Sequence, residues 1–402
     1  MERILGTVVR GLRAPIFKEG DDLVEEISRL LMKFYLVEQV QPRDKDIIAI
    51  TESVVARAQG NYANIDDIAR DFHEKFPENE PVGIIFPILS RNRFATSLKG
   101  FAQGAAMGNR EIILMLSYPS DEMGNSLAFA EVLEKLGVNP WTDVLSEREY
   151  RALFGKFHHL FTGVDYVQFY REILESEGVN CKVIFANIAT SILPYTKNIL
   201  NCDIHTREKT KKILQESGAK LVLTLAEILN SPSTDHGYNE EFGLLGANAA
   251  TQSTIKLFPR DCDTLVMQLQ TEMKKLTGKL IEVMIYGDGA FKDPVGQIWE
   301  LADPVVSPGF TPGLEGTPSE MKIKYLADNM FSELKGEDLK SAIKHHVAEI
   351  LEEDISEAES LGTTPRRLTD LIGSLSDLTS GSGDKGTPIV YIQGYFDKFS
   401  AE

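Results

Sequence analysis

Apolar residues along the chain follow two rhythms. Leu23, Ile27, Leu30, Leu31 and Phe34 recur at helical spacing, and Asp22 followed by Glu25 supplies a capping pair at the start of that stripe. Asp46-Ile47-Ile48-Ala49-Ile50-Thr51 is instead a short unbroken apolar run, the pattern of a strand buried on both faces. The opening therefore predicts strand, helix, strand, with the second strand running directly into Ser53–Gly60. From Pro81 to Asp235 the pattern changes. Strand-like runs at Val82–Phe86, Glu111–Leu116, Lys182–Phe185 and Lys220–Leu225 alternate with helical stretches, the clearest starting near Thr206 and stopping at Gly218. Strand, helix, strand with short connections predicts parallel pairing in an α/β layer.

The turn formers Asn230–Gly237 mark a boundary after this unit. Beyond it come glycine-rich loops, then a helical stretch from Pro318 to Glu359 with a break near Gly336. A last helix is predicted at Thr364-Pro365, with Thr as cap and Pro in the first turn. The loop Ser380–Gly386 follows, and the strand Thr387–Gly394 closes the chain, with no internal repeat. The predicted architecture is α+β in three parts: residues 1–80, an inserted α/β unit at 81–235, and residues 236–402.

At 402 residues the chain has room for two or three cored domains. Its longest apolar runs are strand-sized, which predicts no transmembrane span, and Met1–Gly6 lack the apolar core of a signal peptide. Three widely spaced cysteines, Cys181, Cys202 and Cys262, suit a reducing cytoplasm and argue against a disulfide framework or a zinc cluster. A formal net charge of −18 disfavours nucleic acid and anionic membranes as partners. It permits a polyanionic small ligand where a local cation reverses the field, and Arg57 is the candidate.

Seven segments carry potential chemistry. Lys18-Glu19-Gly20-Asp21-Asp22 is a turn feeding a helix, with Lys18 and Asp21 as candidates for substrate contact and plain capping as the alternative. Arg57 beside Gly60 offers a guanidinium and backbone N–H groups to a phosphate, or is an arginine on an exposed strand edge. The small-residue loop Gly243–Ala250 would let backbone approach a ligand at Gly246 and present the amide of Asn248, or is a tight turn under close helix packing. Tyr286-Gly287-Asp288-Gly289 follows the run Ile281–Ile285, so Asp288 stands past a strand end, with Asp293 as a second hard oxygen ligand for Mg²⁺ or Mn²⁺; an Asp-Gly hairpin turn reads equally well. Gly381, Gly383 and Asp384 lie in a loop that either cradles a phosphate or links helix to strand, and it lacks the P-loop spacing. In the inserted unit, Ser117–Asn125 follows a strand, where parallel sheets bind ligands, and Arg91, Arg93 and Lys99 lie in another such region. The pairs His158-His159 and His345-His346 point about 100° apart on a helix, which does not suit one shared metal. No Ser/His/Asp or Cys/His nucleophile arrangement is readable.

Gly11-Leu12-Arg13-Ala14-Pro15-Ile16-Phe17-Lys18-Glu19-Gly20-Asp21-Asp22, the strand and turn Asp46–Gly60, and the end Leu371–Gly394 together resemble the γ-glutamyl ligases that add glutamate to the deazaflavin coenzyme F(420). Similarity is weaker at Gly243–Pro259 and Ile281–Asp293, and the resemblance spans the two ends and skips the middle. It implies a split ligase-like body around the α/β insertion, and a GTP-dependent (or ATP-dependent) amide ligase using Mg²⁺ or Mn²⁺. The implied partners are L-glutamate and a small-molecule carboxylate, and the implied assembly is a cytoplasmic homodimer. Arg57 falls where the family usually has Lys, Ala56 replaces a usual hydroxyl, and Asn248 and Asp288 fall near usual metal-binding aspartates. On this reading Arg57, Gly60, Gly246, Asn248, Gly381, Gly383 and Asp384 surround the nucleotide, while Asp288 and Asp293 hold the metal. The catalytic residues are not identified. A folate-like acceptor is one alternative, and a non-catalytic nucleotide- or metabolite-binding relative is another, favoured by the charge lost at Asn248. A phosphotransferase built on the strand-end loops of the insertion is a third.

Overall fold

In a computed structural model the chain is described over residues 4–91, 93–160, 162–287, 291–292, 299–300, 307–318, 321–349, 366–381 and 383–398. The first part carries β1 (Val8–Leu12), α1 (Leu23–Val37), β2 (Ile47–Thr51), α2 (Glu52–Ala58), β3 (Tyr62–Asn64) and α3 (Ile65–Lys75). The central part follows with β4 (Val82–Ile85), α4 (Phe94–Met107), β5 (Ile112–Leu116), α5 (Ala130–Leu136), β6 (Leu145–Ser146) and α6 (Glu147–Phe154). It continues through α7 (Tyr166–Ser176), β7 (Cys181–Phe185), β8 (Asn198–Asn201), α8 (Arg207–Glu216) and β9 (Leu221–Thr224). Then come β10 (Asn248–Ala249), β11 (Thr254–Lys256), α9 (Cys262–Thr277), β12 (Glu282–Tyr286), β13 (Phe291–Lys292), β14 (Trp299–Glu300) and β15 (Gly309–Phe310). The chain closes with α10 (Ile323–Tyr325), α11 (Gly336–Glu349), α12 (Leu368–Ser380) and β16 (Ile389–Gln393).

The fold is α+β, organised around two main sheets. One has the order β1-β16-β2-β12-β15, with β2 and β12 parallel at its centre and the other pairs antiparallel. The ends of the chain meet here, because β16 lies between β1 and β2. On one face α1, α2 and α9 bury Ile27, Leu31, Val55 and Leu269 against Ile48, Ile50, Val283 and Tyr391. On the other, α12 brings Leu368 and Ile372 onto Ile47, Ala49, Met284 and Val390. Burial on both faces accounts for the continuous apolar reading of β2.

The second sheet has the order β6-β7-β5-β4-β8-β9, parallel apart from the β6–β7 pair. Its core takes in more than the central segment. Ile68, Phe72 and Phe76 of the α3 region and Ile255 and Leu257 of the β11 region join Leu98, Leu114 and Phe185 in one cluster. Helices α3 and α4 meet closely: a Cβ on Gly104 would stand 2.5 Å from the carbonyl oxygen of Ala69. The buried Arg110 guanidinium ties the same corner by donating to the carbonyls of Gly104, His73 and Phe76. A three-stranded sheet, β10-β11-β3, adds Ala63 and Ile255 to that cluster.

Two local expectations change. Arg57 lies in a helix, residues 52–58, and not on the exposed strand edge given above as its alternative, because Val54, Val55 and Ala58 bury one side of α2. The last helix starts at Leu368, not at Thr364-Pro365, which lies outside the described residues; Arg367 caps it by position and pairs with Asp370. The break near Gly336 coincides with the start of α11, where that residue has φ +58°.

Candidate active site

Most of the chemistry-bearing segments come together at one end of the five-stranded sheet. The end of β1, the carboxyl ends of β2 and β12 and the start of β16 all lie there, since Leu12 is level with Ile389, Ile389 with Ile50, and Tyr286 with Thr51. Backbone hydrogen bonds sew this rim together. Thr51 N–H donates to the Pro388 carbonyl at 3.0 Å, and Ala14 N–H to the Gly386 carbonyl at 3.0 Å. The carboxyl end of parallel strands is open because the chain must leave each strand there, so loops rather than ladder partners surround it.

The Lys18–Asp21 turn closes on itself. The Asp21 carboxylate accepts the Lys18 N–H at 2.6 Å, and Gly20 takes φ +86°. Asp22 caps α1 by accepting the Glu25 N–H at 3.0 Å. The turn then docks on the end of α2, where Gly20 N–H donates to the Ala58 carbonyl at 2.9 Å. Gly60 adopts φ +60°, and a Cβ on it would meet the Glu19 side chain. The two segments, some forty positions apart in sequence, are thus neighbours, with Lys18 and Arg57 both exposed. Among the described residues no ion pair holds Arg57.

Gly381 and Gly383–Asp384 lead into β16 at the same rim; Gly381 has φ +63° and lies under the Lys385 side chain. Asn248 reaches the rim through its strand partner. It pairs with Lys256, whose ammonium is 3.1 Å from the Glu52 carboxylate at the start of α2. Gly246, with φ +80°, lies against the Phe258 ring, which a Cβ there would strike. Asp288 and Asp293 lie outside the described residues; the strand that leads to them, β12, ends at Tyr286 beside Thr51. Glu52 and Lys256 belong to none of the candidate sites read from the sequence. The signal that points to them is a single charge in each of two apolar contexts, Glu52 directly after β2 and Lys256 inside Ile255-Lys256-Leu257-Phe258.

The described residues contain no group of three or more His, Cys, Asp or Glu able to hold a metal. Burial pushes the Cys181 and Cys262 thiols up to about 12 and Cys202 well above its ordinary value, which disfavours the thiolate at each. His159 is buried, and its Nδ1 accepts the Thr162 N–H at 3.1 Å, a packing role. In the second sheet, Asp121 accepts from the backbone of Leu89, Met123 and Asn125, so the loops after β4 and β5 are stitched to each other.

The model of the family described as F420-0:Gamma-glutamyl ligase matches residues 11–394. The chain belongs to the F420-0:gamma-glutamyl ligase family. The match runs through the central segment as well, whereas the resemblance read from motifs skips it. No curated protein matches the chain. For this F420-0:gamma-glutamyl ligase family member, no helix among the described residues is long and apolar enough to cross a membrane.

Proposed function

We propose that the protein is a nucleotide- and divalent-metal-dependent amide ligase that joins L-glutamate to a small carboxylate acceptor such as the deazaflavin coenzyme precursor F(420)-0. The observation that carries this reading is the docking of the Lys18–Asp21 turn onto the Arg57–Gly60 turn, beside the carboxyl ends of β2 and β12. It collects two exposed cations and the loops of four strands at one rim of a chain whose net charge is −18.

The reaction moves the terminal phosphoryl group of GTP or ATP to an oxygen of the acceptor carboxylate. The amino group of glutamate then attacks the carbonyl carbon of that acyl phosphate, loses a proton, and phosphate leaves. Two anions must approach each other in the first step, so fixed positive charge is the main requirement. Arg57 meets phosphate oxygens with its planar donors, and the backbone around Gly60 and Gly381–Asp384 shapes the nucleotide pocket. Lys18, held by the closed turn, faces the acceptor or the glutamate carboxylate. A cation held by Asp288 and Asp293, with the Asn248 amide nearby, would neutralise the phosphates. The family resemblance supports a homodimer as the assembly.

Calorimetric titration of GTP and ATP, with and without Mn²⁺ or Mg²⁺, on wild type and Asp288→Ala tests the reading. The expected result is metal-dependent binding that the substitution removes, followed by glutamate-dependent release of phosphate with F(420)-0 and a product one glutamyl unit heavier by mass spectrometry. If neither nucleotide binds under any metal condition, the ligase reading fails. Nucleotide binding without turnover on any carboxylate acceptor would favour the non-catalytic relative that the neutral Asn248 suggests.

A further inference from the structure

Lys256 occupies the central strand of the small sheet, with Asn248 directly opposite on one side and Tyr62 on the other. Directly opposed residues in antiparallel strands project to one face with Cβ atoms about 5 Å apart, so amide, ammonium and phenol form a row. The Lys256 side chain is 12% exposed and its ammonium stands 3.1 Å from Glu52, which is 11% exposed. Glu52 follows β2 immediately, and the last residue of β12 is level with Thr51. The ammonium therefore sits where the two parallel strands end, beside the point at which the chain leaves for Gly287.

As a stabilising device the pair is a poor choice. Removing two charges from water costs about as much as their attraction returns, and an apolar pair of similar volume often does as well or better. One carboxylate takes one of the three ammonium donors, and among the described residues no second acceptor is within hydrogen-bonding distance of Lys256 Nζ. What the pair does provide is a cation held in one place, on a chain that otherwise repels anions.

We propose that Lys256 binds the terminal phosphate of the nucleotide, with Glu52 as the resident counterion that occupies the ammonium until the phosphate displaces it. This rests on the ligase reading and adds to it the group that meets the transferred phosphoryl. A compact ammonium suits that task, since its charge follows the moving oxygens without a fixed fork geometry.

The test is titration of GTP with Mn²⁺ into wild type, Lys256→Met, Lys256→Arg and Glu52→Gln, with the thermal midpoint of each measured alongside. Lys256→Met is expected to weaken GTP at least tenfold and Lys256→Arg less than threefold. Glu52→Gln is expected to tighten GTP, because the competing carboxylate is gone. A merely structural ion pair would lower the midpoints of Lys256→Met and Glu52→Gln together and leave affinity unchanged. Unaltered GTP affinity in a folded Lys256→Met protein overturns the assignment while the ligase reading stands. Absence of nucleotide binding by wild type overturns both. Should Lys256→Met not fold, Glu52→Gln decides: tighter binding supports the role, and unchanged or weaker binding overturns it.

Discussion

At the scale of single residues, two glycines near the rim differ in what they tolerate. Gly60 has φ +60°, and an added Cβ meets only the far end of the flexible Glu19 side chain. Gly60→Ala should cost about 1–2 kcal/mol, mostly from the left-handed backbone. Gly246 has φ +80° and faces the rigid Phe258 ring, so Gly246→Ala should cost about 3 kcal/mol or more. Urea unfolding of the two variants checks the order. A second residue-scale prediction concerns pH. Asp46 lies at the opposite end of the sheet, where it accepts from the Tyr391 hydroxyl at 2.5 Å and the Gln393 amide at 3.0 Å. Burial raises its carboxyl above the ordinary value, and these hydrogen bonds only partly offset that. A raised folded-state value means that the native protein holds a proton the unfolded chain has lost. Stability from this group is present below the unfolded carboxylate value, about 3.9, and is lost as pH rises through the folded value. The stability of wild type relative to Asp46→Asn should therefore fall as pH rises from about 4, then level off; a flat difference in urea unfolding across that range would refute the assignment.

At the scale of elements, the contact of α3 with α4 is governed by small residues. Alanine in place of glycine on a free helix surface stabilises by about 1 kcal/mol. At Gly104 the Ala69 carbonyl oxygen stands 2.5 Å from the added carbon and is backbone, so it cannot swing away. Gly104→Ala should be destabilising by about 1–3 kcal/mol, the sign of overpacking prevailing over propensity, as thermal unfolding would show. Elements with strong periodicity are legible in the chain. Asp22 and Glu25 start α1 as the pattern requires, and β4, β5, β7 and β9 follow from their apolar runs. Strand β8 is not legible, because Asn198 and Asn201 leave only two apolar residues between them. Both asparagines are buried and hydrogen-bonded, Asn198 to Glu80 and Asn201 to the Arg207 carbonyl, so the strand satisfies its polar ends internally. Nor is α2 legible, since its seven residues are too few to show a helical period against the β-branched pair Val54-Val55.

At the scale of the molecule, a buried polar junction ties the segment after α2 to the segments around Tyr238 and Phe258. Asn61, fully buried, donates to the Phe258 carbonyl at 2.6 Å and accepts the Tyr238 N–H at 3.0 Å and the Arg260 guanidinium. It stands directly after Gly60, so this junction also positions the rim. Phe258 keeps a second donor in Asn239; the group left unpaired by Asn61→Ala would be the Tyr238 N–H. The expected loss is about 2 kcal/mol, measured by urea unfolding, with a further loss of GTP affinity if the Gly60 turn shifts.

The chain by itself determined which segments bear charge next to glycine, which runs are buried strands, and that its ends carry the marks of one ligase family, since each depends on residues adjacent in sequence. Only the tertiary structure decided that Lys18, Arg57 and the loop before β16 share one rim, because strand order places the last strand between the first two. It alone singled out Glu52 and Lys256, two hundred positions apart, as a pair. A buried charge is legible only together with its partner, and partners are chosen by register across strands, which no local pattern contains.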